Sequence, residues 1–250
     1  MKRPGLSERQ PLWFVALLEL AVIVVYLLVG TAAHFAHLSN DGVAAVANIV
    51  LSVLAAGLLS ALGWWRVAGL TRAARPHHLL LFLPLLLPVG LNLNLYVGLE
   101  FRGLLLMAEL LITALLIGFA EETLYRGLML NALQARGPWT AAIVTSGLFG
   151  LSHALNLLSG KSGAEILIQV CYALAIGLGF AAGALQMGLL WLLILVLALI
   201  DFASFIGRAE FSARWNRVAG IGVTLAFMSN GLFVMLHGRR KQNTVVQVPA

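Results

Sequence analysis

The chain has 250 residues, 61% of them hydrophobic and only 10% charged, and its mean hydropathy is +0.95. A soluble domain carries about 25% charged residues, so the composition excludes a soluble globular protein and describes a polytopic membrane protein. The net charge of +6 does not indicate nucleic acid, because the basic residues are scattered at the ends of apolar runs, where topology determinants belong.

A membrane-spanning helix needs about 20 mostly apolar residues. Eight runs qualify: Leu12–Gly30, Val43–Trp64, Leu79–Val97, Leu104–Glu122, Trp139–Leu158, Ala164–Gln186, Leu189–Ile206 and Val218–Leu236. They predict an all-α fold: a transmembrane helix bundle of about eight membrane helices, forming one integral membrane domain over residues 1–250 with polar tails at 1–11 and 237–250. The first run has the basic start of a signal peptide (Lys2, Arg3, Arg9) and a small-residue stretch, Thr31-Ala32-Ala33. Its apolar part exceeds the 7–15 residues of a signal core, so a retained anchor is expected. Glu19 lies singly within it. His34 and His37 follow in what reads as a solvated loop.

Trp64-Trp65 before Arg66 predicts an interfacial anchor, and His77-His78 beside Arg72 and Arg75 reads as the cytoplasmic interface. Pro84 and Pro88 in the third run each remove a backbone donor and predict a bent helix. Glu109 lies singly in the fourth run. Glu165 opens the sixth, where a carboxylate suits the positive helix end. Cys171, the single cysteine, excludes an intrachain disulfide and a cysteine-based zinc site and reads as a small buried apolar residue. The sixth and seventh runs are separated by Gln186-Met187-Gly188. Together they are too long for one span, so two helices with a tight turn are predicted. With the N-terminus inside, Lys2, Arg3, Arg9, Arg66, Arg72, Arg75, Arg126, Arg136, Arg239, Arg240 and Lys241 fall inside. Arg102, Lys161, Arg208, Arg214 and Arg217 fall outside. The excess predicts that both termini are cytoplasmic.

The fourth run closes on Glu121-Glu122-Thr123-Leu124-Tyr125-Arg126. Each ionised group inside a membrane helix costs about 2.5–3.5 kcal/mol on insertion scales. The hexad is therefore either a solvated helix end or a buried functional site. The later runs favour the site. His153 and Asn156 lie in the fifth, and Asp201 lies in the seventh. Residues four apart share a helix face, so Glu122 and Arg126 are expected to form an ion pair that makes burial tolerable. Glu121 is about 100° round the helix and is left without that partner. A carboxylate so placed is a candidate general base, and a nearby histidine can share the proton work or orient a water. Glutamate, histidine and water together make a hydrolysis site. A transporter would instead show inverted repeats with broken helices, which the sequence lacks.

Glu121-Glu122-x-x-x-Arg126 followed by Phe149-x-x-x-His153 resembles the motifs of the CAAX-protease and bacteriocin-processing (CPBP, Abi-type) family of intramembrane proteases. Leu124-Tyr125-Arg126-Gly127 and Phe149-Gly150-Leu151-Ser152-His153 are similar too, and the resemblance covers residues 105–203. It implies a helical bundle with a polar cavity open to one side. The implied activity is an endopeptidase that cleaves near the C-terminus of prenylated, bacteriocin or membrane-anchored substrates. It implies that Glu121 and His153 activate the attacking water and that Glu122 with Arg126 is a structural pair. Phe149 and Asn156 are expected to line the site, with Asn156 orienting the His153 ring or capping the helix.

The family's third motif is a histidine followed four residues later by Asn or Asp. Asp201 fits the second position and is expected to join the catalytic set, whereas Leu197 stands where the histidine belongs. Losing an oxyanion donor costs about 10²–10³ in rate, so the alternative is a catalytically impaired relative acting as a membrane scaffold or immunity-type protein. Glu121, His153 and Asp201 offer three ligands of the kind a catalytic zinc site uses. The lack of His-Glu-x-x-His and of a histidine at 197 favours a metal-free mechanism with no cofactor. The expected partners are a membrane-associated protein or peptide substrate and the lipid bilayer, with no nucleic acid, in a bacterial inner membrane.

Overall fold

In the bilayer core no water is present to bond the backbone, so an apolar run must satisfy its own N–H and C=O groups, and the helix does this within one segment. The computed structural model describes residues 5–37, 39–73, 83–86, 103–159, 162–206 and 213–237, and among them the regular structure is helical, with no strand. After a turn of helix at Leu6–Arg9, α1 spans Pro11–Ala36. Proline at its first position costs nothing, since that N–H has no intrahelical acceptor. Helix α2 spans Asn40–Leu62. Ser39 caps its start, accepting the Gly42 N–H at 3.2 Å, and Gly63 ends it in the left-handed conformation at φ 69°. Leu83–Leu86 forms a 3₁₀ turn.

Helix α3, Leu104–Glu122, runs without a break into a π-helical segment, Thr123–Met129. A short α turn, Leu130–Leu133, and a 3₁₀ turn, Gln134–Arg136, then complete one helical stretch of 33 residues. Helix α4, Pro138–Ser152, tightens into a 3₁₀ segment, His153–Ser159. Helix α5, Gly163–Met187, opens on a capping box in which the Ser162 and Glu165 side chains each take the other's backbone N–H. Helices α6, Leu190–Ile206, and α7, Ala213–His237, follow.

Among the described residues five helical stretches are long and apolar enough to cross a membrane, and Leu190–Ile206 and Gly220–Leu236 are shorter apolar helices. The molecule is an all-α polytopic helix bundle. Helix α5 packs between α4 and α7, while α3 packs between α6 and α2, with α1 against α2. Small residues set these approaches, as they do where lipid gives helices no hydrophobic reason to associate. A Cβ on Gly118 of α3 would lie 2.6 Å from the Ile194 carbonyl oxygen of α6. Glycine there lets α6, and with it Asp201, close on the helix that carries Glu121.

Some expectations are corrected. Helix α1 runs on past Gly30 to Ala36, because Thr31-Ala32-Ala33 contains no helix breaker and the Thr31 hydroxyl bonds back to the Leu27 carbonyl at 2.7 Å. His34 is therefore helical, and only His37 departs from the helix, at φ 54°. Cys171 is exposed on α5, not buried, because the helix turns Ala173, Ile176 and Phe180 inward instead. A small apolar thiol suits a face that meets lipid. The tight turn between the sixth and seventh runs is found at Gly188, φ 60°. Trp64 packs edge-on against Phe14 with centroids 6.4 Å apart, and the Trp65 indole donates to the Ser60 hydroxyl at 3.1 Å. Of the expected third span, Leu83–Leu86 with Pro84 is described. Pro88, His77, His78, Arg75, Arg102, Lys161, Arg208, residues 1–4 of the first polar tail and 238–250 of the second lie outside the described residues.

Candidate active site

The hexad stands near the middle of the stretch Leu104–Arg136, and from Glu122 to Arg126 it is sealed. Glu122 is 0% and Arg126 1% exposed, and Thr123, Leu124 and Tyr125 are buried with them. The reading as a solvated helix end is thereby overturned, and Arg126 leaves the set of loop charges that orient the protein. A buried charge needs a partner with good geometry. Arg126 Nη1 donates to Glu122 Oε1 at 2.8 Å. The guanidinium also lies over three rings, 4.3 Å from the centroid of Phe149, 5.7 Å from Phe180 and 5.8 Å from Tyr125, the arrangement that attracts a cation to aromatic faces. Glu122 Oε2 and Arg126 Nε and Nη2 find no hydrogen-bond partner among the described residues. The ring cage and the single bond carry the pair.

The expected four-residue spacing gives the expected ion pair, but on a different backbone. From Thr123 to Met129 the helix is π, and the Leu130 N–H reaches back to the Tyr125 carbonyl. A π turn takes one more residue than an α turn and recurs at functional sites. Nothing in the residue pattern announces it.

Glu121 differs from its neighbour. It is half-buried and accepts no hydrogen bond among the described residues. Asp201, Glu122 and Arg126 lie within its electrostatic reach. Asp201, also half-buried, has a buried Oδ2 with no partner among the described residues. The packing of α3 on α6 thus brings Glu121 and Asp201 together. Leu197, one turn before Asp201, is buried and apolar.

His153 begins the 3₁₀ segment after α4 and is half-buried. Its Nδ1–H donates to the Phe149 carbonyl at 2.7 Å. A carbonyl only accepts, so in the neutral ring Nε2 carries the lone pair. The Phe149 carbonyl holds the ring at Nδ1. Asn156 is half-buried in the same segment and caps no helix end, since α4 has already tightened at His153. Tyr125, Phe149 and His153 form a column of edge-to-face rings, with centroids 5.1 and 4.9 Å apart. Phe149 therefore touches both the Arg126 cage and the histidine. Among the described residues no group of three or more His, Cys, Asp or Glu side chains is arranged to hold a metal ion.

Two residues of α1 were missed as members of this neighbourhood. Glu19, buried in an apolar helix, accepts a hydrogen bond from the Tyr125 hydroxyl at 3.1 Å. Its isolation among apolar residues was the available signal, and its partner lies 106 positions away. Tyr26 accepts from Asn48 Nδ2 of α2 at 3.2 Å and had no signal at all. Glu109, by contrast, is exposed on the outer face of α3.

A helix bundle of membrane-spanning character with two carboxylates that have no partner among the described residues, and a histidine, around a sealed ion pair is the class that fold and geometry define. The family model of type II CAAX prenyl endopeptidases, Rce1-like, matches residues 103–203. That stretch runs from the start of α3 to just past Asp201 and contains both motifs, so over it the chain is similar to the CAAX-protease family. No similar curated protein and no similar solved structure was found.

Proposed function

We propose that the protein is an intramembrane endopeptidase hydrolysing a peptide bond near the membrane surface of an anchored protein or peptide. One observation carries the reading. Glu121, a half-buried carboxylate without a hydrogen-bond partner among the described residues, stands near the middle of the stretch Leu104–Arg136 beside the buried Glu122–Arg126 ion pair, in a stretch that matches an endopeptidase family. In the reaction, Glu121 takes a proton from a water whose oxygen attacks the peptide carbonyl carbon. His153, its ring held at Nδ1 by the Phe149 carbonyl, orients that water. Asp201 holds the water from the opposite helix. The tetrahedral intermediate collapses with cleavage of the C–N bond, and the proton taken by Glu121 passes to the leaving amine. No step uses a metal or an organic cofactor.

The catalytic core is residues 105–203 within a single integral domain. We place the protein in a bacterial inner membrane with both termini cytoplasmic, on the distribution of Lys and Arg. The matched family's description reads CAAX prenyl endopeptidase, so the first substrate to assay is a C-terminally prenylated peptide. In proteoliposomes, Glu121→Ala and His153→Ala should each lower kcat/KM by about 10²–10⁴, and a chelator should leave the wild-type rate unchanged. Unchanged cleavage by both variants removes the assignment. The buried Leu197 favours a second reading, an impaired relative serving as a scaffold or immunity-type protein. On that reading the wild type turns over no substrate and Leu197→His gains activity.

A further inference from the structure

Helix α1 lies outside the matched residues 103–203, and the reaction above uses none of its side chains. Its inward stripe nevertheless carries Val15, Leu18, Glu19 and Val22, all buried, and about one turn further on comes Tyr26. The Glu19–Tyr125 bond at 3.1 Å fixes the register of α1 against the π segment. Glu19 and Tyr26 are about two turns apart and share a face, so that register also sets where Tyr26 sits.

Hydrolysis of a peptide bond places negative charge on the former carbonyl oxygen, and fixed donors aimed at that charge are usually the largest catalytic aid. Donors around Glu121 are few. Leu197 offers none. Thr123 is sealed away from any substrate, and so is Arg126. The Arg126 face is stacked on Phe149, and its Nη2 edge lies against Gly177. An ionised Asp201 only accepts.

Tyr26 differs from all of these. Asn48 spends its amide hydrogens on the Ala44 carbonyl at 2.9 Å and on the Tyr26 oxygen at 3.2 Å. The tyrosine oxygen therefore accepts from Asn48 and keeps its own hydroxyl proton for another acceptor. Among the described residues it donates to none. Glu121 and Asp201 both lie within electrostatic reach of the hydroxyl. Like those two carboxylates, and unlike Thr123 and Arg126, Tyr26 is only half-buried.

We propose that the Tyr26 hydroxyl, held by Asn48, is the oxyanion donor of this site, supplied from α1 where α6 offers only Leu197. It touches the reacting carbonyl oxygen and is a catalytic residue on that account. The inference rests on the endopeptidase reading.

Tyr26→Phe removes one oxygen and keeps the ring. In proteoliposomes with the prenylated peptide, kcat should fall about 10²–10³-fold, with KM within about threefold and the thermal unfolding temperature unchanged. A peptide phosphinate, whose tetrahedral anionic centre mimics the intermediate, should lose affinity for Tyr26→Phe by the same factor as kcat/KM. The uncleaved peptide, bound to Glu121→Ala with and without Tyr26→Phe, should bind both equally. Asn48→Ala should lose less, because the hydroxyl remains but is no longer held. Wild-type rates in Tyr26→Phe overturn the proposal. So does a fall in kcat that leaves phosphinate affinity unchanged, which would mark a purely structural role. A wild type that cleaves nothing overturns the endopeptidase reading and this inference with it, whereas a cleaving wild type with an active Tyr26→Phe overturns this inference alone.

Discussion

Arg126 and Glu121 stand five positions apart and are treated in opposite ways by the fold. Arg126 is paired, caged by three rings and closed off, while Glu121 is left open and unbonded. Substitutions should separate the two roles. Removing one partner of a buried ion pair leaves an uncompensated charge and costs about 3–5 kcal/mol, whereas replacing both by apolar residues is often neutral. Arg126→Met alone should therefore lower the unfolding temperature in detergent markedly, and Arg126→Met with Glu122→Leu should recover most of the loss. A double variant no more stable than the single one would refute the pair's role. Arg126→Lys should not substitute, since an ammonium lacks the planar face that stacks on Phe149. Glu121→Gln should do the reverse, leaving unfolding unchanged while cleavage is lost. The pairing was legible in the four-residue spacing. The burial was not, because a hexad at the end of an apolar run is equally compatible with a solvated helix end. The near-zero exposure of Glu122 and Arg126 and the continuation of the helix to Arg136 decide between the two.

At the scale of elements, the spans Leu104–Glu122 and Leu189–Ile206 were legible to within a residue or so of α3 and α6, since an apolar run bounded by glycine and polar residues leaves the backbone little choice in lipid. How the helices meet was not legible, because one glycine in an apolar helix looks like another. Gly118 and Gly147 make the contrast measurable. A methyl at Gly118 strikes the Ile194 carbonyl of α6 at 2.6 Å, whereas at Gly147 nothing lies within 4 Å. Gly118→Ala should force α3 from α6, cost about 1–3 kcal/mol as overpacking does, and lower cleavage by moving Asp201 away from Glu121. Gly147→Ala should keep activity and gain up to about 1 kcal/mol from helix propensity. Equal behaviour of the two variants in unfolding and cleavage assays would show that the α3–α6 approach does not set the site. The partner of Glu19 was illegible for a related reason: a tyrosine 106 positions away is found by the fold and not by any spacing.

For the whole molecule, the matched stretch covers α3 to α6, yet α1 supplies a buried acid that bonds to Tyr125 of the π segment, so the surroundings of the site extend beyond that stretch. If the Lys and Arg distribution orients that bundle as read, a reporter active only in the cytoplasm should work at either terminus, and one active only outside should be silent at both. A signal of opposite kind at the two ends would require an odd number of crossings. The π segment bears on the bundle as a matter of phase. The part of the long helix before it packs on α2 and α6, and the part from it onward packs also on α1 and α4. The extra residue taken up by each π turn is what lets one continuous helix present its polar groups to both sets of neighbours. Deleting a single residue between Thr123 and Met129 would leave a sequence just as apolar and just as helical, but Glu121 and Arg126 would then turn toward the wrong walls.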